Sequence, residues 1–161
     1  MNDAGEPAAI ATTMIVNGRS VTRAIEPRRH LIDFLREDLG LTGSHVGCEH
    51  GVCGACGIRV DGSVVCGCLQ LAVRCAGKSV DTIEHLRSTD PLVARLQDAF
   101  VARNALQCGF CTPGMIVAAA DLLAQSPSPS RDDIRAAIGG NYCRCTGYHA
   151  IVDAIATVAA E

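Results

Sequence analysis

The sequence is poor in aromatic side chains. Tryptophan is absent, and aromatic residues make up 3% of the 161 positions, although apolar residues as a whole reach 48%. A core can therefore form, but Ala, Val, Leu and Ile must supply most of its packing. We expect small, closely spaced elements in one domain or two small ones, because domains most often run to about 100–150 residues.

The chain also lacks a basic run and a long apolar run. Its 14 Lys and Arg are outnumbered by 17 Asp and Glu, for a net charge of -3, so we expect no nucleic-acid partner. The longest stretch without a polar side chain is GMIVAAA, far below the roughly 18 residues that suggest a membrane span. No cationic start precedes an apolar segment at the N-terminus. These absences predict a cytoplasmic chain with a flexible leader at residues 1–11.

Residues 12–84 carry mainly β signals. Asn17-Gly18 and Asp61-Gly62 supply the positive φ angles of tight hairpin turns. The strands expected around these turns and after them are residues 13–16, 21–25, 56–60, 63–66 and 79–83. Apolar residues recur at helical spacing from Leu31 to Leu39, with Gly40 as a stop, which predicts one amphipathic helix. A mixed sheet with one helix across it is the simplest packing.

Helix signals take over after a linker predicted at residues 85–90. Asp90-Pro91 and Thr112-Pro113 each place a capping side chain before proline, and Ser130 begins a third helix. A fourth helix is expected from His149 to Ala159. The predicted fold class is α+β, with a β-rich domain at residues 12–84 and a helical domain at residues 91–161.

What the sequence has in quantity is cysteine, 10 residues in all. In a reducing compartment these favour metal binding over disulfides. Cys48, Cys53 and Cys56 have the C-x4-C-x2-C spacing of plant-type 2Fe-2S ferredoxins, with a fourth ligand to come from Cys66 or Cys68. The glycines between them allow the backbone to wrap an anionic cluster closely. A zinc knuckle usually has C-x2-C pairs, a thioredoxin-like pair leaves cysteines unexplained, and a Rieske centre lacks its second histidine.

A second group consists of Cys108 and Cys111, in QCGFCTPG, and Cys143 and Cys145, in NYCRCTG. The C-x2-C and C-x-C spacings alone fit zinc and iron-sulfur equally. Each pair is followed at once by a predicted helix N-terminus, so two positive helix ends would face the same site. Such a site lowers thiol pKa values and favours an anionic cluster.

The segments CEHGVCGAC, QCGFCTPGM and GNYCRCTGY, in this order, resemble the small iron-sulfur subunit of the molybdenum hydroxylase family. That family includes xanthine dehydrogenase-like enzymes, aldehyde oxidoreductases and aerobic carbon monoxide dehydrogenases. The resemblance extends from about Met14 to Ala159. It implies a ferredoxin-like β-grasp domain followed by a four-helix bundle, in agreement with the two halves predicted above.

The resemblance also implies a division of labour between subunits. A large subunit would carry molybdopterin-bound molybdenum and a medium subunit FAD, assembled as a dimer of heterotrimers. This chain would pass single electrons between them while a small substrate (an N-heterocycle, aldehyde, purine or aryl-CoA) is hydroxylated with oxygen from water. It would carry no catalytic residue itself. The alternatives are a free-standing ferredoxin-type carrier and a zinc-binding interaction module.

By motif position, the resemblance assigns two ligand sets. The FAD-proximal cluster would be held by Cys48, Cys53, Cys56 and Cys68, and the molybdenum-proximal cluster by Cys108, Cys111, Cys143 and Cys145. Gln107 and Cys145 would approach the molybdopterin.

Cys66 would be the spare cysteine of the first group. If Asp61-Gly62 closes a two-residue hairpin, Cys66 falls opposite Gly57 within the strand ladder. Cys68 then lies past the ladder, beside the loop where the cluster must sit.

Overall fold

A mixed sheet followed by a group of helices makes up residues 8–160, the part of the chain that the computed structural model describes. The α+β class is therefore confirmed. Residues 1–7 of the expected leader lie outside the described residues, and its last two residues, Ile10 and Ala11, already belong to the first strand. Among the described residues, no helix is both long and apolar enough to cross a membrane.

The sheet contains both predicted hairpins. Its strands are β1 (Ile10–Val16), β2 (Arg19–Ile25), β3 (Gly57–Val60), β4 (Ser63–Cys66) and β5 (Ser79–Asp81), in the order β2-β1-β5-β3-β4. Asn17 and Gly18 have φ angles of 51° and 75°, and Asp61 and Gly62 have 49° and 79°. β1 and β5 run parallel, whereas the other neighbours are antiparallel.

The predicted first helix is present but wound differently. An α-helical turn, α1 (Leu31–Asp33), continues as a π-helical segment over Phe34–Asp38. The backbone N–H of Leu39 donates to the carbonyl of Phe34, five residues earlier, at 3.2 Å. Leu31, Phe34 and Leu35 are buried in one core with the inner side chains of the sheet. The apolar spacing thus predicted the position of the segment but not its π-helical winding.

The last predicted strand ends earlier than expected. β5 stops at Asp81, and a helix, α2 (Ile83–Thr89), occupies most of the segment predicted as a linker. The strand ends because Thr82 is fully buried and hydrogen-bonded to Asn17. The backbone N–H of Thr82 donates to Asn17 Oδ1 at 2.9 Å. The carbonyl of Thr82 then accepts the N–H groups of His85 and Leu86, which starts the helix.

Four further helices follow, as predicted, although the third of them has only 7 residues. They are α3 (Pro91–Ala102), α4 (Thr112–Gln125), α5 (Arg131–Ala137) and α6 (His149–Ala159). Their buried faces form a second core, separate from that of the sheet, around Phe100, Met115 and Ile151. Two separate cores agree with a division into a β-rich half and a helical half.

Two of the three predicted N-caps are confirmed. Asp90 accepts a backbone N–H of α3 at 2.9 Å, and Ser130 and Asp133 form a capping box at α5. The prediction for Thr112 is wrong, because Thr112 is the first residue of α4 and Cys111 occupies the N-cap position. Cys111 has helical backbone angles (φ -81°, ψ -15°), so the chain turns before Thr112 is reached.

Candidate metal centres

Five cysteines meet at the end of the sheet that faces the helices. Cys48 and Cys53 lie in the loop before β3, and Cys56 directly precedes that strand. Cys66 ends β4, and Cys68 lies in the single 3-10 turn that follows. Cys66 stands opposite Gly57 in the ladder, which confirms the predicted register.

The loop around Cys48 is built to receive negative charge. The backbone N–H groups of Val52 and Cys53 donate to Cys48 Sγ at 3.3 and 3.4 Å. Gly51 and Gly54 have φ angles of 80° and 70°, which let the loop turn its N–H groups inward. Hydrogen bonds from the backbone of His50, Cys53 and Val52 lower the pKa of Cys48 to about 6. Its thiolate is therefore available near neutral pH.

Cys56 and Cys68 form a buried pair on the inner side of the same site. Each is 2% exposed, and the two share a small apolar cluster with Ile32, against which Cys66 also packs. Burial raises the pKa of Cys56, and it raises the pKa of Cys68 to about 11. These two thiols need a positive partner, such as a metal, to ionise.

The second group of cysteines also forms two pairs. Cys108 Sγ and Cys145 Sγ are 3.6 Å apart and exposed, whereas Cys111 and Cys143 lie beneath them. Burial raises the pKa of Cys111 to about 12. Burial acts to raise the pKa of Cys143 as well, but hydrogen bonds from Thr146 and Cys145 keep it below its usual value. Thr146 Oγ1 lies 3.1 Å from Cys143 Sγ.

One predicted helix N-terminus at the second site is misplaced. α4 begins directly after Cys111, as expected. α6 begins at His149, as its apolar pattern predicted, so the helix start that was expected directly after Cys145 is wrong. The reason is that Gly147 and Tyr148 both have left-handed φ angles, 64° and 67°. The displaced turn brings the Tyr148 hydroxyl, instead of a helix end, to the backbone N–H of Cys143 at 2.8 Å.

The two sites adjoin each other. The backbone N–H of Tyr142, next to Cys143, donates to the carbonyl of Cys53 at 2.9 Å. The ring of His45 stacks on Phe110 with centroids 4.7 Å apart, and its Nδ1 lies 2.8 Å from the Phe110 carbonyl. No pattern in the sequence pointed to His45, because its partner is 65 residues away and lies between two cysteines of the other site.

Gln107 lies in the exposed segment before α4, next to Cys108. Phe110 and Tyr142, which precede Cys111 and Cys143 in sequence, are 45% and 57% exposed. The second site therefore reaches the molecular surface at Cys108 and Cys145, with Gln107 near its edge. The first site is more enclosed.

Four thiols at each site can supply the two protein ligands that each iron of a 2Fe-2S cluster takes. Within residues 8–160, no three His, Cys, Asp or Glu side chains are grouped as ligands of one metal ion. A structural zinc site needs four ligands around one ion, whereas a 2Fe-2S cluster takes two protein ligands on each of two irons. The residues present, two pairs of thiols at each site with N–H donors beside them, fit 2Fe-2S clusters.

The fold and the two sites define a protein with two 2Fe-2S domains, and the comparisons agree. Residues 14–80 match the family described as a 2Fe-2S iron-sulfur cluster binding domain, and residues 82–156 match the 2Fe-2S binding domain family. The chain is 50% identical over 140 residues to the nicotine 6-hydroxylase small subunit of Paenarthrobacter nicotinovorans, covering 87% of this chain and 84% of that one.

Two further relatives cover almost all of the chain. It is 48% identical over 151 residues to the caffeine dehydrogenase subunit gamma of Pseudomonas sp. strain CBB1, with 91% of this chain and 89% of that one covered. It superposes on a chain of quinoline 2-oxidoreductase from Pseudomonas putida 86 with a TM-score of 0.88 and 49% identity, covering 94% and 93% of the two chains. The chain belongs to the small iron-sulfur subunits of the molybdenum hydroxylase family, and so serves as the iron-sulfur subunit of an oxidoreductase.

Proposed function

We propose that this chain conducts single electrons between a molybdopterin centre on a large partner subunit and FAD on a medium one. Its cysteines would hold two 2Fe-2S clusters. Each cluster, when bound, takes up and releases one electron at a time. The ligands of the first are Cys48, Cys53, Cys56 and Cys68, and those of the second are Cys108, Cys111, Cys143 and Cys145. The chain's own residues bind, orient and insulate these clusters.

The observation that carries the proposal is the direct contact between the two sites. The hydrogen bond from the Tyr142 N–H to the Cys53 carbonyl joins the backbone of one ligand to the neighbour of another. A carrier that shuttles electrons alone needs one cluster. Two adjoining cluster sites, one of them exposed at the surface, suit a subunit that passes electrons between two partners bound at fixed positions.

The surface around the second site is the side we assign to the large subunit. Cys108 and Cys145 are exposed there, and Phe110 and Tyr142 add apolar surface beside them. Gln107 is polar and exposed at the edge, as a residue that hydrogen-bonds a pterin would be. The first site would then face FAD on the medium subunit.

Several finer features belong to the same proposal. The helical half would pack as a four-helix bundle, and the complex would be a dimer of heterotrimers in the cytoplasm, where cysteines stay out of disulfides and can bind metal. The relatives are named for nicotine, caffeine and quinoline, so a small N-heterocycle, purines included, is the favoured substrate, ahead of an aldehyde or an aryl-CoA.

Purification of the chain under native conditions tests the subunit assignment. We expect it to elute with two larger chains, one containing molybdenum and the other FAD, and to become reduced when the substrate of the complex is added. A chain that elutes only as a monomer and accepts electrons from a reductase by itself would favour the free-standing ferredoxin instead.

A further inference from the structure

Asn141 is a buried polar side chain at the border between the two cysteine sites. It is 8% exposed, and its Nδ2 donates to the carbonyl of Gly54 at 3.1 Å. Gly54 lies between two ligands of the first site, Cys53 and Cys56, whereas Asn141 precedes Cys143 of the second site by two residues. Because buried polar groups are retained where they find partners, this contact between residues 87 apart in sequence is a specific link.

The backbone around the Asn141–Gly54 hydrogen bond is packed too closely for the Gly54 peptide to shift. A Cβ on Gly54 would lie 2.5 Å from Asn141 Nδ2 and 2.5 Å from the Gly140 carbonyl oxygen, and the φ of Gly54 is +70°. On the other side, a Cβ on Gly114, in the first turn of α4, would lie 2.1 Å from the Gly54 oxygen. Asn141 and the start of α4 therefore hold the Gly54 peptide from two directions.

A second hydrogen bond lies directly beside the first. The N–H of Tyr142, the residue after Asn141, donates at 2.9 Å to the carbonyl of Cys53, the residue before Gly54. A single hydrogen bond would leave the two segments free to pivot. Two adjacent bonds fix both their distance and their orientation, and only the one from Asn141 is made by a side chain that substitution can remove.

We propose that Asn141 is a positioning residue that sets the separation of the two clusters, and so the rate at which an electron passes between them. The inference rests on the proposed function. In the step concerned, one reduced site loses an electron and the other gains it, so no proton or further reactant takes part. Electron transfer weakens steeply as a gap widens, so a small shift of Cys53 against Cys143 affects the rate more than the stability.

Two variants and one control test this role in the full chain, loaded with iron and purified with any subunits that accompany it. Asn141→Ala removes the side chain, and Asn141→Asp keeps its shape without the N–H donor. The control is Arg59→Met, because Arg59 makes another contact between the halves, 2.6 Å to Asp90, outside the cysteine sites. Iron content is measured for each. The magnetic splitting is measured with both clusters reduced, and the rate of electron exchange with only one of the two reduced.

We expect both Asn141 variants to keep their iron, to lose part of the splitting and to exchange electrons several-fold more slowly, while Arg59→Met matches the wild type. Wild-type splitting and rate in the Asn141 variants would overturn the inference. An equal change in Arg59→Met would also overturn it. So would loss of iron from Asn141→Ala, because Asn141 would then hold the ligands of one site and not set the distance between the two sites. A wild-type chain without two 2Fe-2S signals would instead overturn the proposed function.

Discussion

At the scale of single residues, the first site poses a choice between two cysteines for one ligand position. Cys66 ends β4 opposite Gly57, and Cys68 follows in the 3-10 turn, fully enclosed beside Cys56. The backbone N–H of Gly67 donates to the carbonyl of Cys56 at 3.1 Å, which holds the turn against the cluster loop. Cys68 is thus fixed next to Cys56, while Cys66 still belongs to the strand.

Substitution of these two cysteines should have different effects on the clusters. We expect Cys66→Ser to keep two 2Fe-2S signals in electron paramagnetic resonance, because Cys68 is the proposed fourth ligand. Cys68→Ser should lose or strongly alter one signal, because one iron would exchange a thiolate for a weaker hydroxyl ligand. The two variants serve as controls for each other, since both replace sulfur by oxygen within three positions. The reverse pattern would reassign the fourth ligand to Cys66.

At the scale of elements, the start of α4 packs closely on the loop of the first site. Gly114→Ala should lower the free energy of unfolding by about 1–3 kcal/mol, the usual cost of overpacking. The added methyl group would meet backbone, the Gly54 oxygen, which cannot move aside as a flexible side chain can. The gain in helix propensity from Gly to Ala, about 1 kcal/mol at most, only partly offsets this.

A matched control for Gly114→Ala is Gly139→Ala. No atom lies within 4 Å of a Cβ built on Gly139, and its φ is not in the left-handed region. The midpoint of thermal unfolding should therefore fall for Gly114→Ala and stay near that of the wild type for Gly139→Ala. Equal midpoints for the two variants would show that the contact between α4 and the loop is not tight.

The start of α5 allows a second prediction at this scale. Ser130 Oγ accepts the N–H of Asp133. The Ser130 hydroxyl and backbone N–H both donate to the Asp133 carboxylate, and these two bonds hold the pKa of Asp133 below its usual value. Ser130→Ala should destabilise the protein by about 1 kcal/mol, whereas Ser130→Thr, which keeps the hydroxyl, should cost little. Hydrogen exchange in the first turn of α5 measures both. Unchanged exchange in Ser130→Ala would mean that packing against α6 alone holds this helix.

Local sequence patterns predicted the elements that depend on local physics. The Asn17-Gly18 and Asp61-Gly62 turns follow from the φ angles that these residues tolerate, and the capping box at Ser130 follows from side chains three positions apart. The cap at α4 failed because Cys111 has already turned into helical angles. The Asn141 and His45 contacts were out of reach, since each joins residues far apart in sequence and depends on how the two halves pack.

At the scale of the whole molecule, two cores are joined at a border that includes ligand segments from both sites. The helical core and the sheet core are separate, and the polar contacts between them include Arg59 with Asp90, Asn141 with Gly54 and Tyr142 with Cys53. The last two of these lie between the cysteine sites. The same interface therefore holds the β-rich half against the helical half and places the two cluster sites next to each other.

Metal analysis of the purified full chain, combined with electron paramagnetic resonance after reduction, tests most directly whether this one chain binds two 2Fe-2S clusters. We predict about four irons per chain, no stoichiometric zinc and two distinct 2Fe-2S signals of equal intensity. Zinc in place of iron, or a single signal from a chain that holds two irons, would contradict the account.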